Sequence, residues 1–503
     1  MDAATALKSA AAVLQRPSNI LPAYFLTPAV SAVTRTVSLF GIAVVYLYLE
    51  TTGRLARFRE ELAARDIESP PSAETNPDAF DTWVREITPL VETVVTPTTV
   101  AIVAATILAT IVVSVILVAV ASAAQLSASH ARLCSERGTT AALRGGRRFW
   151  GPILVLRLLE LALWAGILAA VGIVIAVVSL LSPIVAALVA LAAFPVTVGL
   201  LVGIRLVFIF APVAVIVDEG TVGPSLRRSV GFLTDNPVAA GAYVLIALGG
   251  FLTVGSLGGA FATQGSGVLF GLLGFTLLSP GLDLVKTAFY GDYRGEVDPP
   301  GAPEGPLGGR FRAGLSRGIG ELFAFVRGHP LLHVASLAVG VAGFALGWVA
   351  IEPFLGGVST SIADRLAGHN PLVAAVEFGA NNWTVAVSSA FAGLVLAVPA
   401  AGALLFNGFV FGVIARTEET LLELLAFVVP HGILEIPAFI VAGALGFWLG
   451  GAGWRTLRGQ ASAEALADAI DRAFWVAIGL GVLLAIAAVI EGFVSPYYYR
   501  PFL

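Results

Sequence analysis

Apolar runs of about 20 residues recur along the whole chain, the length at which an α-helix spans the ~30 Å hydrocarbon core of a bilayer. They fall near residues 28–50, 95–123, 153–181, 184–216, 238–258, 267–290, 331–354, 383–415, 433–452 and 473–494. Inside lipid every backbone N–H and C=O must be satisfied by the chain itself, so runs of this length and composition are read as helices. Composition agrees: 57% of residues are hydrophobic and only 12% are charged, against about 25% charged in soluble domains. The expected fold class is all-α. The expected architecture is a polytopic integral membrane protein of about ten transmembrane helices.

The runs divide into two groups. Residues 291–309, GDYRGEVDPPGAPEGPLGG, carry ten glycines and prolines in nineteen positions, the composition of a linker. The reading is therefore a six-helix N-terminal membrane domain over 1–290, a linker over 291–309 and a second membrane domain over 310–503. Four segments share a pattern, beginning at Leu7, Leu143, Leu226 and Leu315. Each has a short basic amphipathic stretch, a bulky residue, a proline and then an apolar run. These read as interfacial elbow helices, with basic groups at the headgroups and proline in the first turn of the next helix.

Arginine bias sets the expected orientation. The connections at 124–152 and 291–330 each hold five arginines, whereas those near 182 and 259–266 hold none. The N-terminus is then expected in the cytoplasm of a multi-pass cell-membrane protein, with 124–152, 218–237 and 291–330 on the same side. Arg54, Arg57 and Arg59 would lie outside, on a long acidic loop. Ten spans also put Arg455 and Arg458 outside, against the bias.

Several classes lack support. There is no basic domain or stacking-aromatic pattern for nucleic acid. No phosphate-binding loop, serine-nucleophile elbow or dinucleotide fingerprint occurs, so no cofactor is expected. Cys134 is the sole cysteine, which excludes an intramolecular disulfide. The first 24 residues lack a continuous apolar core, so insertion is expected to rely on the first transmembrane helix.

The strongest candidate residues sit in AFVVPHGILEIPAFIVAGALGFWLG, residues 426–450. His431 and Glu435 are four apart, about 40° round a helix, and share a face. Ala438, Ala442, Gly446 and Gly450 continue that face as a small-residue stripe that lets another helix approach. Pro430 and Gly432 are expected to break the chain, so that the spanning helix starts at Pro430. A second break is expected at Pro399 and at Phe406–Gly408, near Asn407. An intramembrane imidazole and carboxylate fit a structural polar cluster, a partner-binding feature or an ion or solute path. No metal is assigned: H-x-x-x-E lacks the second histidine of H-E-x-x-H, and the sequence offers no further ligand cluster. Asn381 and Asn382 are read as caps at the start of a span. Glu491 either snorkels to the interface or faces the His–Glu pair. Arg157 with Glu160, and Asp283 with Lys286, are read as self-neutralising pairs on one helix face.

PHGILEIPAFIVAGALG resembles the signature of the stage II sporulation protein M family. NNW at 381–383, FNGFVFG at 406–412 and AAVIEGFVSP near the end resemble that family's other elements. The resemblance covers about residues 310–503. It carries over to Asn381, Asn382, Asn407, Gly408, Pro430, His431, Gly432, Glu435 and Glu491, with no chemical role attached to any of them. It implies an all-helical integral membrane protein that, in sporulating bacteria, belongs to a membrane complex recruiting peptidoglycan-remodelling enzymes, and is not itself the enzyme. The N-terminal half resembles six-helix membrane domains with elbow helices, such as those attached to glycerophosphodiester phosphodiesterases. The expected function is a non-enzymatic scaffold, or partner-recruiting component, at the cell envelope. Its partners would be the lipid bilayer and other membrane or envelope proteins, with no nucleic acid and with self-association left open. The alternative is a transporter-like subunit with a polar site around His431 and Glu435.

Overall fold

A computed structural model describes residues 1–64, 76–260, 267–355 and 359–498. The described chain is helical throughout, with no strand and a single isolated bridge between Thr360 and Glu418. Ten helical stretches are long and apolar enough to cross a membrane. An all-α polytopic membrane protein is therefore what the sequence builds.

The N-terminal part contains α1 (Ala3–Leu14), α2 (Leu26–Thr51), α3 (Pro97–Leu133), α4 (Gly138–Leu181), α5 (Pro183–Val217), α6 (Val222–Asp235), α7 (Pro237–Ala260) and α8 (Ser279–Arg294). After the linker come α9 (Leu307–Gly328), α10 (Pro330–Ala350), α11 (Pro371–Ala392), α12 (Val398–Thr417), α13 (Leu421–Leu457) and α14 (Ala463–Phe493). Three of the four expected elbows are separate helices: α1, α6 and α9. Pro237 and Pro330 each open the helix that follows, where the missing N–H costs no bond. The fourth is corrected: the segment from Leu143 lies inside α4, which runs unbroken through Pro152.

Two large buried cores form, with a small third cluster of Ile362, Leu424 and Ala426. The first gathers side chains from α1, α3, α4, α5, α6 and α8, including Leu133, Ile153, Phe210, Phe232 and Tyr290, together with Tyr24 from the segment before α2. The second gathers α9, α11, α13 and α14 and also takes Phe25, Ala29, Ala32 and Val33 from the N-terminal end of the chain. Phe25 is fully buried there, with ring centroids 5.1 Å from Phe391, 5.5 Å from Phe474 and 5.7 Å from Trp383. Aromatic burial of this kind is among the largest single contributions to a helical core. The linker is tethered to the first part: Arg16 donates to the Gly301 carbonyl at 3.0 Å and Asp298 N–H to the Leu133 carbonyl at 3.0 Å.

The apolar run at 383–415 is not one broken span. It is the end of α11 and nearly all of α12, joined by a tight turn at 393–397 where Leu396 and Ala397 take positive φ of 58° and 65°. The break precedes Pro399, and Asn407 and Gly408 lie inside an intact helix, so the expected break at 406–408 is corrected. α11 is not among the ten apolar stretches, yet it packs antiparallel along α14, with Gly492 against Pro371, Gly379 against Ala488 and Gly481 against Trp383; counted as a pass, it changes the parity of everything after it. Arg137 pairs with Asp468 at 2.7 Å and Asp471 at 2.6 Å, and Arg144 with Glu464 at 3.1 Å. The start of α14 therefore lies on the face that carries the 124–152 arginines. Arg455, which lines one pocket with Asp468 and Arg472, sits on that face too. The conflict posed by ten simple passes disappears.

Glycines set how closely the second part packs. A Cβ on Gly408 would lie 2.2 Å from the Gly340 carbonyl oxygen, and one on Gly412 would lie 2.0 Å from that of Phe344. Gly343 and Gly347 meet the Leu405 and Phe409 carbonyls in the same way. Thus α10 and α12 run parallel with their backbones in contact, the close approach that small residues permit between membrane helices.

Candidate functional site

α13 is one helix from Leu421 to Leu457, with Pro430 and Pro437 inside it. The expected helix start at Pro430 is corrected. Proline removes one ladder bond, but neighbouring helices accommodate such gaps in membrane helices. His431 and Glu435 point inward together, 5% and 9% exposed. The stripe beyond them is buried as its spacing implies: Ala438 and Ala442 are 0% exposed. A Cβ on Gly446 would meet Ala400 Cβ at 2.6 Å, and one on Gly450 the Ala397 N at 2.6 Å. The stripe is thus the seat of the 393–397 turn and the start of α12. Gly432 has a different surround, since its nearest neighbour is Val428 of its own helix.

Glu491, near the end of α14, turns inward. His431 Nε2 is 3.9 Å from Glu491 Oε1, an ion pair only when the imidazole is protonated. His431, Glu435 and Glu491 each offer a ligand atom, and these atoms all lie within 4.8 Å of one another. On the other side of the ring, Nδ1 hydrogen-bonds the Ser495 hydroxyl at 2.9 Å, and Ser495 is fully buried. Phe427 packs edge-on to the imidazole at 5.5 Å. Glu435 Oε2 and Glu491 Oε2 are buried without a hydrogen-bond partner. Such orphaned oxygens are costly in a medium without water.

Among the described residues the hydrogen bonds of the other candidates lead elsewhere. Asn381 and Asn382 lie in the middle of α11, where Asn381 Nδ2 donates to Asn382 Oδ1 at 3.1 Å. The cap of α11 is Asn370, whose side chain accepts from the Leu372 and Val373 N–H groups. Asn407 Nδ2 donates to the Ala403 carbonyl of its own helix at 2.9 Å. It lines a cavity of about 10 Å³ with Arg35, Thr36, Ser388 and Ser389, room for roughly one water.

The intramembrane charges of the first part partition differently from the expected pairs. Glu160 is held by Arg205 at 2.9 Å, while Arg157 donates to Ser122 at 2.7 Å. Asp283 and Lys286 do pair, at 2.7 Å, and Tyr24 adds a bond to Asp283 at 2.8 Å. Sequence reasoning missed Ser495 and the Asp218 hub. Asp218 accepts from Tyr290 at 2.6 Å and from Arg294 at 2.7 Å. In sequence these partners are more than 60 residues apart, and no local period links them.

The region holding the cluster, from α9 to the turn beyond α14, decides the comparison with known proteins. Residues 317–496 match the family described as stage II sporulation protein M. The match falls inside the stretch whose motifs resembled it and includes His431, Glu435, Glu491 and Ser495. No curated protein and no solved structure matches the chain. The stage II sporulation protein M match leaves out α1 to α8, so the N-terminal part stands on its own observations.

Proposed function

We propose that the chain is a non-enzymatic membrane scaffold, a rigid multi-pass platform that holds other membrane or envelope proteins in place. The observation that carries this reading is the backbone-to-backbone packing of α10 on α12 and of α13 on the 393–397 turn. Helices in such contact move as one body, which suits a rigid platform. The cavity at Asn407 is too small for a solute; the groove beside α14 is lined by apolar and aromatic side chains, and that beside α2 by apolar residues with the hydroxyls of Ser38, Thr106 and Thr110 and no charged group. Arginine bias supports a cell-membrane location with the Arg137–Arg148 face and the N-terminus in the cytoplasm.

A second reading, a transporter-like subunit, draws on one feature: three ionisable side chains converge at one place inside the membrane. Affinity purification from native membranes separates the two. The scaffold reading expects a reproducible, stoichiometric partner that is retained by Glu435→Gln and lost with Gly408→Leu, which pries α10 from α12. Absence of any stoichiometric partner from the wild-type sample overturns it.

A further inference from the structure

We propose that His431, Glu435 and Glu491 form a binding site for one divalent transition-metal ion of the Zn²⁺ class. This goes beyond the scaffold reading and does not rest on it. Three observations meet here. The ligand atoms lie within 4.8 Å of one another on two different helices. Glu435 is nine-tenths buried, and its Oε2 has no partner; neither has Glu491 Oε2. The imidazole is already oriented, because Ser495 Oγ holds Nδ1 at 2.9 Å and leaves Nε2 toward Glu491. A metal-bound histidine is typically fixed in this way through its other nitrogen.

The donor set is one nitrogen and two carboxylates, which suits zinc and its neighbours better than calcium or magnesium. In a tetrahedral zinc site ligand atoms lie about 3.3–3.5 Å apart, given bonds of about 2.0–2.2 Å. The observed 3.9 Å between His431 and Glu491 closes to that by a small glutamate torsion. Charge also fits: two carboxylates and a neutral imidazole cancel a divalent cation, and a neutral assembly is the least costly one in lipid. No lysine or arginine ion pair reaches either carboxylate among the described residues. Bound there, the ion ties the first third of α13 to the end of α14. The cluster lies toward the end of α14 away from the Arg137 ion pairs.

The sequence reading assigned no metal because H-x-x-x-E lacks the second histidine of H-E-x-x-H and no further ligand cluster was evident. The fold decides between the two readings of Glu491 and places it beside the pair. The test is Zn²⁺ titration of the full chain, purified in lipid nanodiscs and stripped with chelator, with bound metal counted by mass spectrometry. One Zn²⁺ per chain is expected, undisturbed by a hundredfold excess of Ca²⁺. Glu435→Gln and Glu491→Gln should each lose binding, and Ser495→Ala should weaken it by about 10–100-fold, the usual effect of removing an orienting partner. Glu464→Gln, on the opposite face, should bind as wild type. Wild-type protein that binds no Zn²⁺, or Zn²⁺ retained in full by Glu435→Gln, overturns the site. Should Glu435→Gln not fold, Glu491→Gln decides by the same criterion.

Discussion

At the residue scale, glycine identity matters more than any charged group in the second part of the chain. Gly408→Val places methyl groups where the Gly340 carbonyl now lies, 2.2 Å from the Cβ position. Overpacking of this kind costs ~1–3 kcal/mol and occasionally more. A clear fall in thermal midpoint is expected in detergent. Gly451→Ala on α13 meets only the flexible tip of Arg455 at 3.6 Å and should be neutral or stabilising by up to ~1 kcal/mol. Equal effects of the two substitutions would refute the packing argument. Cys134 makes a second residue-scale prediction. Its thiol donates to the Glu296 carbonyl at 3.1 Å. Burial, with the nearby acids Glu136, Glu296 and Asp298, pushes the thiol above its ordinary range. The reactive thiolate is therefore scarce at neutral pH, and maleimide labelling should reach half its maximal rate above the usual thiol value of about 8.5. Half-maximal labelling at or below that value would contradict the burial described.

At the element scale, the sequence marked the ten apolar runs and the inward face of α13, because hydropathy and 3.6-residue spacing are local properties. It did not mark the turn at 393–397. The turn is written LVLAV after Gly393 and is as apolar as the helices it joins, so composition hides it. Two non-glycine residues, Leu396 and Ala397, hold positive φ there, and Ala397 lies in close contact with Gly450. Pro430 misled in the opposite direction: it marks a helix break in water but is absorbed inside α13. Asn381 and Asn382 looked like caps because the preceding residues are mixed in character; α11 in fact starts at Pro371, behind Asn370. The pair was legible from its spacing, and Glu491 was a candidate third member with snorkelling as the alternative; Ser495 was not legible at all. His431 and Glu435 are one turn apart, whereas Glu491 and Ser495 arrive from the end of α14. The extra pass yields a direct prediction. In a Cys134→Ser background, Arg458→Cys should label from the same side as Cys134 does in the parent chain. Glu419→Cys, beyond the other end of α12, should label from the opposite side. The reverse result, Glu419→Cys labelling from the Cys134 side and Arg458→Cys from the opposite side, would return the chain to ten simple passes.

At the scale of the whole molecule, the two parts share more than a linker. Phe25 is buried among Phe391, Phe474 and Trp383, and Arg137 bonds α14 through Asp468 and Asp471. The ion pairs are partly exposed and worth little individually, so the aromatic plug supplies most of the coupling. Phe25→Ala should cost about 3–5 kcal/mol, and it should also loosen α14 from the first part, read as faster hydrogen exchange in both α2 and α11. Exchange confined to α2 would mean the two parts are held independently. The central claim is that this assembly is a packed platform and not a passage. Ion leak in vesicles reconstituted with the full chain tests it most directly, using pH- and cation-sensitive dyes on wild type and Glu435→Gln. The platform predicts that both leak no faster than protein-free vesicles. A wild-type flux above that background, abolished by Glu435→Gln while the variant stays folded, would contradict it.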